Sequence, residues 1–394
     1  MLLLMMALIL AAGPEQQADE TRAEELRLAR EQKAQDLRAP TRTFLENSLY
    51  QFKERRVMER FQDGFAGFHP LLGGMATGSG FALGSSYTKK GFRASAQASF
   101  KGYQKYEFGY AAEHLRGSRY FADLRGTYRN YSQEDFFGTG NDTQSDDRAN
   151  YRLEDSYFGG QAGIHLKEHI KVGGHVGFLQ THIGSGTDVR VPSVEKVFDP
   201  ASMAAFDSQP RYLQTGAFVE IDTRDSAGNP RAGGRYTAKW TAFQDQKLGL
   251  YGFSQLDAEA QKYIPFHNRR RVIALRARTT LTRTADGQEI PFYLQPAVGG
   301  SEDVRGFEEA RFRDRNMAVF NAEYRWEAFS GLDLALFADA GQVAHRIHQF
   351  KFSDMKTAGG IGFRFNSAKS VFLRVDVGYS REGARMFFKF GHVF

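Results

Sequence analysis

The sequence predicts an all-β fold, a transmembrane antiparallel β-barrel of about 16 strands with a short helical N-terminal periplasmic segment. From Leu71 onward, apolar and polar residues alternate with period two, the spacing of a strand whose two faces differ. Charged residues keep to one face, as Arg374 and Asp376 do in residues 371–379. The chain ends on Phe394 after an aromatic strand-like segment, and a terminal Phe is typical of outer-membrane barrels.

The strand number follows from counting the alternating segments. About fifteen of them run from residues 78–88 to residues 385–394. Both ends of a bacterial barrel normally lie on the same side of the membrane, so the number should be even. We therefore predict 16 strands and expect that the count misses one. Alternation alone fits a soluble sandwich equally well, since it does not say which face is inside.

Composition narrows the class of protein. The 394 residues include 41 Gly, 35 Phe and 17 Tyr, which are frequent in barrel strands and their aromatic girdles. No apolar run is long enough for a membrane-spanning helix. The net charge of +6 is spread without a basic patch, so no nucleic-acid partner is expected. The absence of Cys fits an oxidising envelope compartment.

Three regions are predicted along the chain. Residues 1–13 resemble a signal peptide, with an apolar run from Leu2 to Ala12 but no Lys or Arg at its start; a buried helix is the alternative. Residues 14–70 form a short, partly helical periplasmic segment, with helices near 18–38 and 44–62. Residues 71–394 form the barrel. The predicted location is the outer membrane of a Gram-negative-type bacterium.

Three segments carry a family resemblance. They are Val304-Arg305-Gly306-Phe307 in a polar stretch at 299–314, Leu336 to Gly341, and the turn-rich Asp222 to Gly234. Together with the aromatic ending, they make residues 71–394 similar to the BamA/TamA-like outer-membrane insertase and translocase superfamily, also called the bacterial surface antigen family. Residues Glu15 to Pro70 are too few for a periplasmic POTRA repeat, so the resemblance is to a barrel-only member.

The resemblance implies a latch inside the lumen. The four residues 304–307 are similar to the signature of a long loop that folds back into the barrel, and Phe337, Asp339 and Gly341 to its partner motif on a strand. Alternation places Asp339 on the inward face, and a carboxylate in a narrow lumen favours a bidentate Arg. We therefore predict an Arg305–Asp339 pair. The alternative is an exposed loop Arg and an unrelated Asp.

The resemblance also implies a lateral seam between the first and last strands. The predicted first strand contains Gly78, Gly80 and Gly84, and the last contains Phe388, Phe390 and Phe394 on its outer face. Glycine weakens strand pairing, which would help the seam open. Packing or strong sheet curvature is the alternative reason for the glycines.

The implied function is to assist insertion or translocation of proteins at the outer membrane without catalytic chemistry. The implied partners are outer-membrane lipids, outer-membrane or secreted client proteins, and accessory periplasmic subunits. A passive channel for small solutes is the alternative. Its selectivity would come from the lumen charges, which are Arg276, Arg278, Glu323, Arg325, Arg374 and Asp376. A lipase-like enzyme is a third hypothesis, but no Ser, His and acid stand in a persuasive order.

Two clusters resemble metal sites only weakly. His165, His169, His175 and His182 fall on two adjacent predicted strands without an acidic partner pattern. Asp142, Asp146 and Asp147 lack the full spacing of a calcium loop. We predict no metal and no cofactor.

Overall fold

One long antiparallel sheet forms most of the described chain. The computed structural model describes residues 24–31, 44, 47, 50, 65–73, 75, 78–367, 370–390 and 394. The strands are β1 (Phe68–Leu72), β2 (Ala82–Lys89), β3 (Phe92–Ser99), β4 (Gln104–Ala112), β5 (Tyr120–Phe136), β6 (Ala149–Lys167), β7 (Ile170–Ser185), β8 (Arg211–Asp222), β9 (Gly233–Asp245), β10 (Phe253–Phe266), β11 (Arg271–Arg283), β12 (Ala297–Val298), β13 (Phe312–Arg313), β14 (Asn316–Phe329), β15 (Leu332–Ala344), β16 (Lys356–Asn366), β17 (Val371–Ser380) and β18 (Gly383–Lys389).

The sheet is a meander of 16 strands, in which each strand pairs with its neighbours in the chain. The short strands β12 and β13 pair with each other and interrupt the order, so that β11 pairs with β14. The predicted all-β class and the strand number are confirmed. Single turns of 3₁₀ helix lie in the connections at Leu115–Gly117, Val194–Lys196, Pro200–Ser202, Phe292–Leu294, Ile347–Gln349 and Phe352–Asp354.

The two faces of the sheet differ as the alternation requires. On β11, Ile273 and Leu275 are about 40% exposed on the outer face. Arg276, the residue after Leu275, points inward and is 7% exposed. Arg374 on β17 also points inward and is fully buried. Charged side chains thus line an enclosed interior, whereas apolar side chains face outward. This arrangement is that of a membrane barrel, because a soluble sandwich would bury the apolar face instead.

The strand that the sequence analysis missed is β1. Its five residues include Pro70, which pairs in register with Ser85 of β2. A proline makes a strand hard to recognise in the sequence, because it is rare within sheets. It is tolerated in an edge strand, where one side of the strand has no hydrogen-bonded neighbour. The segment predicted as the first strand, residues 78–88, is therefore the second.

The edges of the sheet approach each other without pairing. Among the described residues, no hydrogen-bonded ladder joins β1 to β18. Gly73, just after β1, lies beside Phe390, just after β18: a Cβ on Gly73 would be 2.5 Å from Cδ2 of the Phe390 ring. The sheet therefore curls until its two edge strands face each other.

Long connections and short turns lie at opposite ends of the strands. At the long-loop rim, the longest connections are residues 137–148, 186–210 and 284–315. Val194, Met203 and Phe292 from two of them pack with Phe136 and Tyr151 in a buried apolar cluster. The short-turn rim carries connections such as residues 267–270. Within the connection 284–315, much of the stretch 299–314 turns inward, and Val304, Arg305 and Phe307 are fully buried.

The N-terminal part is described only in places. Residues 24–31 form an exposed helix within the predicted 18–38 helix, and Arg27 pairs there with Glu24 at 3.2 Å. Residues 44, 47 and 50 are helical. The predicted signal peptide, residues 1–13, lies outside the described residues. In the part of the chain that the structure describes, no helix is long and apolar enough to cross a membrane.

Candidate functional site in the barrel lumen

A loop of residues 299–311, called here the lumen loop, is held at its base by the β12–β13 ladder. Ala297 pairs with Arg313 and Val298 with Phe312. Gly299 has a φ of +122°, a conformation that L side chains rarely adopt. Val298, Phe312 and the loop residues Val304 and Phe307 share a buried apolar cluster with strand residues. The ladder and this cluster fix the direction in which the loop enters the lumen.

Arg305 at the tip of the lumen loop meets Asp339 of β15. Its Nε donates to Oδ2 and its Nη2 to Oδ1, both at 2.8 Å, so the pair is bidentate. The backbone N–H of Arg305 also donates to Oδ2 at 3.1 Å. Both side chains are fully buried. Because each charge is desolvated and depends on the other, removing either partner leaves an uncompensated buried ion.

Further charges surround this pair on the inner faces of three strands. Nη1 of Arg305 donates to Glu323 of β14. Glu323 also accepts from Arg364 of β16 at 3.0 Å and from Arg325 at 2.6 Å. Asp376 of β17 pairs with Arg364. The result is a continuous ionic network that joins β14 to β17 through the loop tip.

Close backbone packing lets the lumen loop reach the wall. A Cβ on Gly341 would lie 2.7 Å from Val298 and 2.8 Å from Val304. A Cβ on Gly378 of β17 would overlap the carbonyl oxygen of Arg305. Glycine is thus required at both wall positions, since any side chain there would push the loop away.

Two more contacts fix the loop tip. The Phe337 ring stacks under Arg305, whose Cζ is 3.6 Å from the ring centroid. The Ser380 hydroxyl of β17 donates to the Gly306 carbonyl at 2.6 Å. All seven residues predicted for the latch, Val304, Arg305, Gly306, Phe307, Phe337, Asp339 and Gly341, are therefore brought together at one place.

The lumen loop also binds strands away from its tip. Arg276 of β11 donates to the Glu302 carbonyl at 2.7 Å, and Arg374 of β17 donates to the Ser301 carbonyl at 2.9 Å. Near the loop's base, Arg311 pairs with Glu382 at 3.0 Å. On β18, Arg385 pairs with Glu308 at 3.0 Å and Lys389 with Glu302 at 3.6 Å. The loop therefore contacts β11 and all of β14 to β18, the last of which is one edge of the sheet.

The predicted seam residues are only partly at the seam. Phe388 and Phe390 are exposed on the outer side near Gly73, as predicted. Gly84 lies in β2, one strand in from the edge, and pairs with Leu71. Gly78 and Gly80 precede β2 with φ of +86° and +72°. These glycines do not form the edge strand, because β1 takes that position, but Gly78 and Gly80 line a cavity together with Phe388 and Phe390.

Phe394 also departs from its predicted place on the outer face. It is 7% exposed and lies inside the lumen, in a cluster with Tyr263, Val272 and Ala274. The guanidinium of Arg325 is 5.2 Å from its ring centroid. Strand β18 ends at Lys389, so the alternation that assigned Phe394 to the outer face no longer applies five residues later.

Sequence reasoning missed several residues of the site. The sequence shows Glu323 and Asp376 as lumen charges, and the channel hypothesis assigns them to solute selectivity. The signal for their pairing is the alternation combined with the predicted inward Arg305. Gly378 and Ser380 carried no signal, because their role depends on which strands the loop crosses. Among the described residues, the structure shows no group of His, Asp or Glu side chains arranged to hold a metal. Instead, His175 bonds Thr241 and Asp142 pairs with Lys356.

Residues 87–392 match the family model described as the Omp85 superfamily domain. The chain belongs to the Omp85 superfamily. The predicted membership of the BamA/TamA-like group is thereby confirmed.

Among solved structures, the fold of this Omp85 chain is similar to BamA from Haemophilus ducreyi lacking POTRA domains 1–3. The TM-score is 0.62 at 13% identity, over 82% of this chain and 69% of that one. A comparison with curated protein sequences finds no match.

Proposed function

We propose that this protein assists the insertion or translocation of proteins at the outer membrane of a Gram-negative-type bacterium, without catalytic chemistry of its own. Superfamily membership over residues 87–392 supports a role of this class. The observation that carries the proposal is a contrast between the two edges of the sheet. No ladder joins β1 to β18 within the described residues, whereas the lumen loop braces the adjacent strands β14 to β18.

The edges supply a way to act on a protein strand. Unpaired N–H and C=O groups are costly in the hydrocarbon of a membrane, so an open edge there favours any strand that can pair with it. Strand addition provides main-chain hydrogen bonds without a required sequence. The lumen loop holds β14 to β18 in place, so that β1 can move away from β18 while the rest of the barrel keeps its shape.

The proposed partners follow from this mechanism. Outer-membrane lipids contact the apolar outer wall, and client proteins supply the strands that pair at the edges. Accessory periplasmic subunits would deliver clients to the short-turn rim. The passive channel is the weaker hypothesis, because Arg276 and Arg374, which it needs for selectivity, already donate to the lumen loop.

A disulfide across the seam tests the proposal. The sequence has no Cys, so Gly73→Cys with Phe390→Cys introduces one pair, at two positions already in contact. In cells depleted of the native protein, we expect the oxidised variant to lose outer-membrane proteins whose transcripts persist. Reduction should restore them.

A matched pair inside the sheet provides the control. Ala242 of β9 and Ser254 of β10 are register partners on two adjacent strands away from the seam. Their disulfide should leave the outer-membrane proteome unchanged. If the oxidised seam variant also leaves it unchanged, the insertion proposal fails, and ion conductance through the purified barrel then tests the channel.

A further inference from the structure

An unpaired cation lies on the outer wall, among apolar residues. Lys262 of β10 stands opposite Gly234 of β9 and Leu275 of β11 in the ladder, on the outward face. Ala260 and Ala277 line the wall beside it. In the described part of the chain, Lys262 makes no ion pair with a carboxylate. A charge facing lipid is unfavourable unless it can reach a polar group at the interface.

Three arginines follow at the adjacent turn of the short-turn rim. Residues 267–270 connect β10 to β11, and His267, Asn268 and Arg269 have φ of 50°, 58° and 62°. Arg269 lies 3.9 Å from Asp225. Arg270 and Arg271 are exposed, and neither forms an ion pair within the described residues. Two cations are thus left for an external anion at this turn.

An aromatic cluster stands between Lys262 and Arg271. Phe266 and Tyr324 have ring centroids 6.0 Å apart, and Tyr324 and Trp326 are 5.6 Å apart. Arg271 is the register partner of both Phe266 and Trp326. Tyr and Trp are enriched where a membrane protein meets lipid head groups. The cluster therefore marks the headgroup level on this side of the barrel.

The two cations can reach one headgroup. Lys262 precedes Phe266 by four residues, about 13 Å along the strand and about 10 Å along the membrane normal for a strand tilted by about 40°. A Lys side chain extends about 6 Å and bends toward the interface, which shortens that gap. Its ammonium group then approaches the level of the Arg271 guanidinium, which lies between Phe266 and Trp326 in the register.

We propose that Lys262, Arg270 and Arg271 bind an anionic phospholipid of the leaflet at the short-turn rim. Its phosphate groups lie between the cations, and an acyl chain covers the wall at Ala260 and Ala277. The occupant is a lipid because the cations border the apolar, lipid-facing wall. Arginine suits the phosphate by its forked donors, and lysine adds a point charge.

Native mass spectrometry of the full chain tests this site. The chain would be released from nanodiscs that contain equal amounts of a phosphatidylglycerol and a phosphatidylethanolamine. We expect preferential retention of the anionic lipid. The variant Lys262→Gln with Arg271→Gln should reduce this preference at least about ten-fold, since each interfacial cation contributes about a factor of five.

Two further variants make the result decisive. Lys89→Gln with Lys90→Gln removes two exposed cations at another short turn and should leave the preference intact. Arg271→Lys keeps the charge and should retain most of it even if the double variant folds poorly. Equal retention of both lipids by the native chain would overturn the proposal, as would the same loss in the Lys89 and Lys90 variant. Displacement by millimolar inorganic phosphate would show that a free anion suffices and would also overturn it.

Discussion

The sector from β14 to β17 and the seam formed by β1 and β18 are built differently. In the first, buried charges on four strands converge on Arg305 of the lumen loop. In the second, the edge strands have five and seven residues and no ladder joins them within the described chain. The ionic contacts of the lumen loop extend to β18 through Arg385 and Lys389, whereas no ion pair joins the loop to β1 within the described residues. The weak side of the seam is therefore β1.

Strand length sharpens the comparison. Five residues of β1 extend about 17 Å, which at a tilt of about 40° covers about 13 Å of an apolar band of about 25 Å. Strands β5 and β6, with 17 and 19 residues, exceed that band. Strand β1 is thus too short to span the apolar band of the membrane by itself, whereas β5 and β6 are long enough.

The largest expected effect comes from Arg305→Ala. It leaves Asp339 and Glu323 buried without their shared cation, so we expect the free energy of unfolding to fall by about 3–5 kcal/mol. Urea unfolding in detergent micelles, followed by Trp fluorescence, measures this change. The control is Arg278→Ala, because Arg278 is also in the lumen but has one ion pair and a side chain 35% exposed. Equal losses of unfolding free energy in the two variants would mean that the ionic network around Arg305 stabilises the barrel no more than a single ion pair does.

A smaller effect is expected from Gly378→Ala. The added Cβ overlaps the Arg305 carbonyl, and relief of that clash requires the loop tip to withdraw. We expect the free energy of unfolding to fall by about 1–3 kcal/mol. Gly359→Ala on β16 is the matched control, since its Cβ would meet no atom closer than 3.6 Å. Protease cleavage within residues 299–311 should increase only in the Gly378 variant. Unchanged cleavage in both would contradict the proposed brace.

The fold could be predicted from the sequence because its determinant is local. Period-two alternation states which residues share a face, and thirteen-residue strands such as β9 and β11 repeat it several times. The seam could not be predicted equally well. Pro70 makes the five-residue β1 hard to recognise, so the sequence pattern assigns Gly84 to the first strand although it lies in the second.

The site shows a similar division. Arg305 and Asp339 could be proposed as partners, because one belongs to a recognisable motif and alternation turns the other inward. The contributions of Glu323, Arg364 and Gly378 depend on the path of the loop across β14 to β17, which is a tertiary property. A sequence with alternating charges specifies that inward groups exist, but not which of them meet.

The smallest expected effect tests whether Phe394 ties the seam to the braced side. Phe394→Leu keeps an apolar side chain in the Tyr263 cluster but removes the ring that Arg325 approaches, so stability should fall by about 0.5–1 kcal/mol. The same urea measurement on Phe390→Leu, at a ring 41% exposed on the outer side, should give almost no change. If the Phe394 variant is equally neutral, the terminal residue adds nothing to the lumen, and the seam is even less constrained than its geometry implies.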